Sequence, residues 1–407
     1  MDLIWSADDL AFQQEVRAFF DCEMDGDLRQ AGQRMTSVYA DHHASIALQK
    51  KLAARGWGAP MWAKEYGGCD WSVVQRYLFT RERLAAGAPH PPFGIHMIGP
   101  SLIAYGTDEQ KAYFLPRTLS GDILWCQGYS EPGSGSDLAS LQMPAIDDGD
   151  DLVCSGSKIW TTHAHVANWM FGLVRTSTES KQQQGITFVL IDMHSPGVSV
   201  RPIVMSSGEH IQNQVFFDQV RIPKKNVLGS IGGGWSIAKF QLEFERSNLA
   251  AAPELQLRID ELRAFAATVP GDDGEWLIDE PAFAHKLASA RMRASTLEIY
   301  ELRALSAISS GASPGLAASV MKTLGTELSQ HVTELALEAA GHYGRAYQPQ
   351  QLRAGGDVVL AHGKGQTVGP LPAALAPLRY LNDRAGTIYA GSNEIQRNIL
   401  AKAALGL

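Results

Sequence analysis

The stretch that decides the fold is WCQGYSEPGSGSDLAS at residues 125–140, answered by SGSKIWTT at residues 155–162. The first segment packs Ser130, Ser134 and Ser136 among Gly128, Gly133 and Gly135, with Pro132 setting the turn. Glycine lets a backbone approach a ligand closely, and hydroxyls supply short donors and acceptors. The second segment ends a predicted strand with Trp160, Thr161 and Thr162, an aromatic plate beside two hydroxyls. That set suits a flat heteroaromatic cofactor with polar edges, such as a flavin, better than a phosphate. A polar hairpin around a core tryptophan is the competing reading.

Outward from this stretch the hydrophobic period changes twice. Residues 1–122 read as helical: Ser6 and Asp9 make a capping-box start, and Phe12, Val16, Phe19 and Phe20 recur at helical spacing. Breaks at GWGAP (56–60), YGGCDW (66–71) and GAPHPPFG (87–94) are turns between helices. From 123 to 235 the period is two. Strands are expected at GITFVLID (185–192) and QVFFDQVRIP (214–223), with no helix-length segment between them. This predicts a small antiparallel barrel or sandwich, not a Rossmann unit. Gly232–Gly234 fits neither phosphate-loop pattern and reads as a linker. From 236 to 407 the chain is helical again, and TVPGDDGEWLIDEP (268–281) is a polar loop. Met321, Leu324, Leu328, Val332, Leu335 and Ala339 step by three and four, with Gly341 at the C-cap position. The fold class is α+β multidomain: an N-terminal helical domain, a middle β domain and a C-terminal helical bundle.

Composition excludes several function classes. The chain has 407 residues, 45% hydrophobic and 19% charged, which fits two or three globular domains. A net charge of −8 argues against a general nucleic-acid binder. Cys22, Cys69, Cys126 and Cys154 lie far apart without a CxxC pair, so neither a disulfide framework nor a zinc site is expected. Twelve histidines include His42–His43 and His163/His165 but no HExxH, and read as surface or supporting residues. The acidic start MDLIWSADDL is no signal peptide, and no apolar run approaches the roughly 20 residues that span a bilayer. A cytoplasmic protein without membrane insertion is expected.

YSEPGSGSDLAS and KIWTT resemble the two flavin-proximal signatures of the acyl-CoA dehydrogenase family. The resemblance continues through LEFER (242–246) to RAGTIYAGSNEIQRNIL (384–400), nearly the whole chain. Within that family the sequence is most similar to the bacterial branch of the pimeloyl-CoA dehydrogenase large subunit and the steroid side-chain acyl-CoA dehydrogenases. The resemblance implies α,β-dehydrogenation of an acyl-CoA thioester with FAD, electrons passing to an electron-transfer flavoprotein. The thioester oxygen then needs hydrogen-bond donors, and a base must sit beside Cα.

Many family members carry that base as a glutamate just before the glycine of the C-terminal signature; here that residue is Ala390. A smaller group places it on an earlier helix immediately before an arginine, which here is Glu245 followed by Arg246. An ER pair on a helix is otherwise a solvated charge pair. Glu243 falls on a different helix face and is assigned to the CoA arm. The backbone N–H of Ala390 survives the Glu-to-Ala difference and still serves the thioester oxygen. By the same resemblance, Ser130, Thr161 and Thr162 meet the flavin ring, Trp160 flanks it, and Ser136 contacts the acyl-CoA. Ser392 and Glu394 lie on the adenosine side of FAD. His96 and Met97 line the floor of the acyl pocket, where plain helix packing is the alternative.

One departure bears on partners. Homotetrameric relatives carry an RxxFG segment that reaches the FAD pyrophosphate of a neighbouring subunit; here the region reads LRAFAATVPGDDGEW. A QxxGGxG-like site has become EAAGHYG (338–344), and its extra carboxylate, Glu338, is a poor neighbour for a pyrophosphate. Arg258 or Arg263 could substitute. Otherwise a second homologous subunit, most simply in an α2β2 tetramer, completes the site. An acyl-CoA oxidase or monooxygenase of the same fold and a non-catalytic partner subunit are the other readings. A serine hydrolase is not supported, because GSGSD is not GxSxG.

Overall fold

The computed structural model describes residues 5–36, 41–246, 251–271, 274–311, 316–352 and 367–406; the side chains of residues 243–246 and 352 are not among those described. Seven helices come first: α1 (Ala7–Glu23), α2 (Gly26–Arg34), α3 (His42–Ala54), α4 (Val73–Ala85), α5 (Phe93–His96), α6 (Ile98–Tyr105) and α7 (Asp108–Ser120). Ser6 caps α1 in a full capping box with Asp9, and Val16 and Phe20 turn its apolar stripe inward. Equivalent boxes at Ser72/Gln75 and Thr107/Gln110 start α4 and α7.

Strands follow: β1 (Trp125–Gly128), β2 (Ala145–Asp148), β3 (Asp151–Lys158), β4 (Trp169–Arg175), β5 (Ile186–Asp192), β6 (Val198–Val204) and β7 (His210–Pro223). They form two sheets, β1-β4-β5 and β2-β3-β7-β6. The second sheet and the β4–β5 pair are antiparallel, as expected. β1 is not. It runs parallel to β4, Trp125 opposite Trp169, because β2 and β3 intervene and provide a crossover long enough for a parallel return. A buried layer of Cys126, Cys154, Met170, Val189, Val215 and Val220 fills the space between the sheets. Gly232–Gly234 connects the strands to α8, and it does so in close contact with β5. Gly232 N donates to Thr187 Oγ1 at 2.8 Å, and a Cβ on Gly234 would meet Phe188 N at 2.5 Å, so the run is packed against β5.

The remaining helices are α8 (Gly234–Arg246), α9 (Ala252–Ala266), α10 (Pro281–Ser309), α11 (Ala317–Ala340), α12 (Leu371–Asp383) and α13 (Asn393–Leu405). Met321, Leu328, Val332, Leu335 and Ala339 bury the stripe of α11 against α9 and α10, and Gly341 caps it at φ 53°. Leu324 departs from the stripe and is 42% exposed. A further apolar cluster matters most for position. It joins Ile95, Met97 and Ile98, Phe171 and Phe188 of the first sheet, and Ile237 of α8 in one core. Each fully buried phenylalanine contributes about 1.5–3 kcal/mol to that junction.

Candidate active site

Two polar anchors set the loop after β1. The Glu131 carboxylate accepts from Gln142 N at 2.7 Å, Met143 N at 3.0 Å and Lys158 Nζ at 2.8 Å, and Lys158 also donates to Tyr129 O. Lys158 is 1% exposed; burial lowers its pKa, and Glu131 opposes that shift. This ion pair ties the serine-glycine loop to the end of β3. Beside the loop lies a groove with about 660 Å3 of open space, lined by Gly133, Ser134, Ser140, Ser155 and Ser157 among others. Ser136 is exposed in the same loop.

β3 ends at Lys158, so Trp160, Thr161 and Thr162 stand in the loop beyond it rather than on the strand. The reason is backbone geometry. Trp160 and His163 adopt φ of 57° and 56°, outside the extended range that continues a regular strand. Asn213 of β7 fixes this loop, accepting from Thr161 N at 2.9 Å and donating from its side chain to Thr161 O at 3.0 Å. The result is an indole 58% exposed beside a buried Thr161 hydroxyl that has no hydrogen-bond partner among the described residues. Thr162 shares its hydroxyl with Gln212. An open aromatic face, an orphaned hydroxyl and a second hydroxyl at its edge fit a planar ring with polar edges. Alongside, His42 and His43 at the start of α3 pack with His163, His165 and His210; the His42–His43 and His165–His210 ring centroids are each 3.9 Å apart. These histidines therefore form one cluster at the back of the Trp160 loop. Among the described residues no group of three or more His, Cys, Asp or Glu could hold a metal ion.

Gln241 of α8 joins three parts of the chain. It is 1% exposed, accepts a short hydrogen bond from the Tyr129 hydroxyl and donates to Met97 O at 2.9 Å. One helical turn later the backbone of α8 passes through Glu245 and Arg246, with Glu243 between. The side chains of Glu243, Glu245 and Arg246 lie outside the described residues. Met97 is buried where α5 meets α6, and His96 next to it is half-buried with its pKa lowered to about 4, chiefly by burial and then by Arg83.

The C-terminal signature presents Ala390 at φ 53°, and its backbone N–H has no acceptor among the described residues. Ser392 caps α13, accepting from Ile395 N, and Glu394 lies in the first turn. Asn393 is held by Lys322 and Thr326 of α11. No described hydrogen bond, ion pair or ring contact joins Ser392 or Glu394 to Ser130 or to Trp160–Thr162 within this chain. Behind the site, Glu301 of α10 is fully buried and accepts from Ala251 N at 2.7 Å and Ala252 N at 3.0 Å, capping α9 directly after the segment that follows Glu245. Burial pushes its pKa up to about 7 against the pull of those two N–H groups.

Two expectations about the pyrophosphate clamp change. Glu338 is paired with Lys286 at 2.7 Å, so its charge is locally balanced. Arg258 is paired with Glu254 at 2.5 Å and is three-quarters buried, so it is committed inside the bundle rather than offered to a phosphate.

The comparisons agree along the whole chain. Residues 6–122, 126–220 and 232–405 match the family models for the acyl-CoA dehydrogenase N-terminal, middle and C-terminal domains. The chain belongs to the acyl-CoA dehydrogenase family. It is 36% identical to acyl-CoA dehydrogenase IpdE1 of Mycobacterium tuberculosis over 89% of this chain and 87% of the relative. Among solved structures, a Tcur3481-Tcur3483 steroid acyl-CoA dehydrogenase is similar at 29% identity and a TM-score of 0.84, covering 100% of this chain and 99% of that one. The ChsE4-ChsE5 complex from Mycobacterium tuberculosis is similar at 30% identity and a TM-score of 0.81, covering 100% and 99%. The acyl-CoA dehydrogenase fold expected from the sequence is thus established, and with it a flavoprotein oxidoreductase acting on acyl-CoA. No helix among the described residues is long and apolar enough to cross a membrane.

Glu131, Lys158, Tyr129 and Gln241 hold these segments together and were not singled out in the sequence. Lys158 carried a signal, being a lysine at an inward position of an alternating strand, which demands a buried counter-charge. Gln241 carried none, since its partners are 112 and 144 residues away.

Proposed function

We propose that this chain catalyses α,β-dehydrogenation of an acyl-CoA thioester to the trans-2-enoyl-CoA, with Glu245 as the α-proton base. The observation that carries this reading is Gln241, which binds Tyr129 and Met97 O and so fixes α8 one turn before Glu245. Bound FAD supplies the acceptor, at flavin N5, for the hydride leaving Cβ. The chain supplies the rest. Ser130 and Trp160–Thr162 cradle the ring, and the Ala390 N–H donates to the thioester oxygen as enolate character grows. Glu245 takes the α-proton, with Arg246 orienting it. The serine-lined groove and Ser136 receive the CoA arm with Glu243, while His96 and Met97 bound the acyl end. Ser392 and Glu394 face the adenosine side of an FAD shared between subunits.

Residues 1–122, 123–235 and 236–407 then act as helical, flavin-contacting and base-carrying domains. A second homologous subunit in an α2β2 tetramer supplies the missing pyrophosphate clamp. That Arg258 is already bound to Glu254 supports this, as do the paired names of the two similar structures. An electron-transfer flavoprotein takes the electrons in the cytoplasm. The steroid name of one relative supports a bulky acyl group among the candidates. Purification with neighbouring dehydrogenase-like chains, native mass spectrometry and anaerobic bleaching of flavin absorbance by acyl-CoAs test the reading. A preparation that never holds FAD, or whose flavin no acyl-CoA bleaches, refutes it.

A further inference from the structure

The polar face of α11 grips the loop that carries Ala390. Ser319, Lys322, Thr326 and Gln330 follow at steps of three and four, so they share a face opposite the apolar stripe of this helix. Each reaches a different point between Asp383 and Gln396. Gln330 Nε2 donates to Asp383 O at 3.1 Å and to Thr387 Oγ1 at 3.3 Å. Thr326 and Asn393 exchange hydrogen bonds. Ser319 donates to Gln396, whose amide in turn donates to Gly391 O at 3.3 Å.

Lys322 holds both legs of the loop at once. Its Nζ donates to Gly386 O at 3.1 Å, ahead of Ala390 in the chain, and to Asn393 Oδ1 at 2.9 Å, beyond it. Between those legs the tip from Ile388 to Gly391 is exposed, and Ala390 and Gly391 stand at φ of 53° and 77°. Positive φ costs a non-glycine residue free energy, so the loop keeps it only where its two ends are fixed. Lys322 is half-buried; burial lowers its pKa to about 8 while Glu394 opposes the shift, so the ammonium persists at neutral pH. Both of its bonds are therefore charge-assisted. Asn393 is 2% exposed, so water does not stand ready to replace the bond to it.

We infer that Lys322 is a positioning residue for the dehydrogenation: by clamping Gly386 to Asn393 it aims the Ala390 N–H at the thioester oxygen. The inference rests on the reading above that this N–H serves that oxygen. The donor has to meet the oxygen as enolate charge grows, and a misplacement of about 1 Å in such a contact costs up to about a hundredfold in rate. Lys322 acts only through the backbone it holds.

The test uses the FAD-loaded enzyme, with its partner subunit if one is required. Bound indoleacryloyl-CoA reports the hydrogen bond directly, because a donor at its thioester oxygen polarises the conjugated chain and moves its absorption to longer wavelength. The wild type should show that shift. Lys322→Met should lose most of it and lower kcat by about ten- to hundredfold, with KM little changed and FAD retained. Lys322→Arg, whose guanidinium can still serve two acceptors, should restore part of both. If Lys322→Met does not fold, Lys322→Gln is read in the same way. A variant that loses only thermal stability, with probe shift and kcat per flavin as in wild type, overturns the inference and leaves the dehydrogenase reading intact. A wild type that binds the probe without any shift overturns the Ala390 N–H reading, and the inference with it.

Discussion

Glu301→Gln isolates the cost of one buried charge behind the site. Glu301 is fully buried, and its pKa is pushed from 4.5 to about 7 by burial, with the Ala251 and Ala252 N–H groups pulling the other way. A folded-state pKa raised above the unfolded value means that the folded protein holds the proton more tightly. The associated stability is therefore full below about pH 4.5 and is lost as the pH rises through about 7. At about 1.4 kcal/mol per pH unit between the two values, the loss is on the order of 3 kcal/mol. Glutamine keeps an acceptor for the cap of α9 but cannot ionise. Chemical denaturation of wild type and Glu301→Gln, flavin-loaded, across this range should show the variant gaining about that amount relative to wild type as pH rises. A difference that stays constant between about pH 5 and pH 8 refutes the reasoning.

Three further outcomes are expected. Glu245→Gln should lower turnover by about 10²–10⁴-fold with FAD retained, and Glu243→Gln much less, read by steady-state assay with an artificial electron acceptor. Lys158→Met strands the Glu131 carboxylate and should cost about 3–5 kcal/mol, measured by urea unfolding, and reduce the FAD retained on gel filtration. Ala390→Val puts a β-branched residue at φ 53° and should lower kcat by about tenfold, with unchanged FAD content showing that the cofactor site persists.

Much of the architecture was legible because it rests on local rules. The Ser6/Asp9 box, the α11 stripe ending at Gly341, and the switch from a helical period to a period of two near residue 123 each report on neighbouring residues only. Leu324 shows the limit: spacing placed it on the stripe, but at the stripe's edge only the packing of α9 and α10 decides what is covered. The direction of β1 was hidden for a similar reason, since a strand's period is the same whether its partner runs parallel or antiparallel. The segments of the candidate site could be named from their residue types. The geometry joining them could not. The positive φ at Trp160, the lysine–glutamate pair under the loop and the placement of Gln241 depend on partners supplied by distant segments.

The Tyr129–Gln241–Met97 connection has a consequence for how the protein is made. Its members are separated by 112 and 144 residues, so no stretch shorter than that span can form it. Synthesis proceeds from the N-terminus, and earlier segments collapse while later ones are still absent. A nascent chain that has completed both β-sheets still exposes Met97 O and the Tyr129 hydroxyl until α8 arrives. The Trp160 loop, held by Asn213 of β7, is thus complete before α8 is made. Premature release near residue 235 would leave a fragment with the Trp160 loop but without α8.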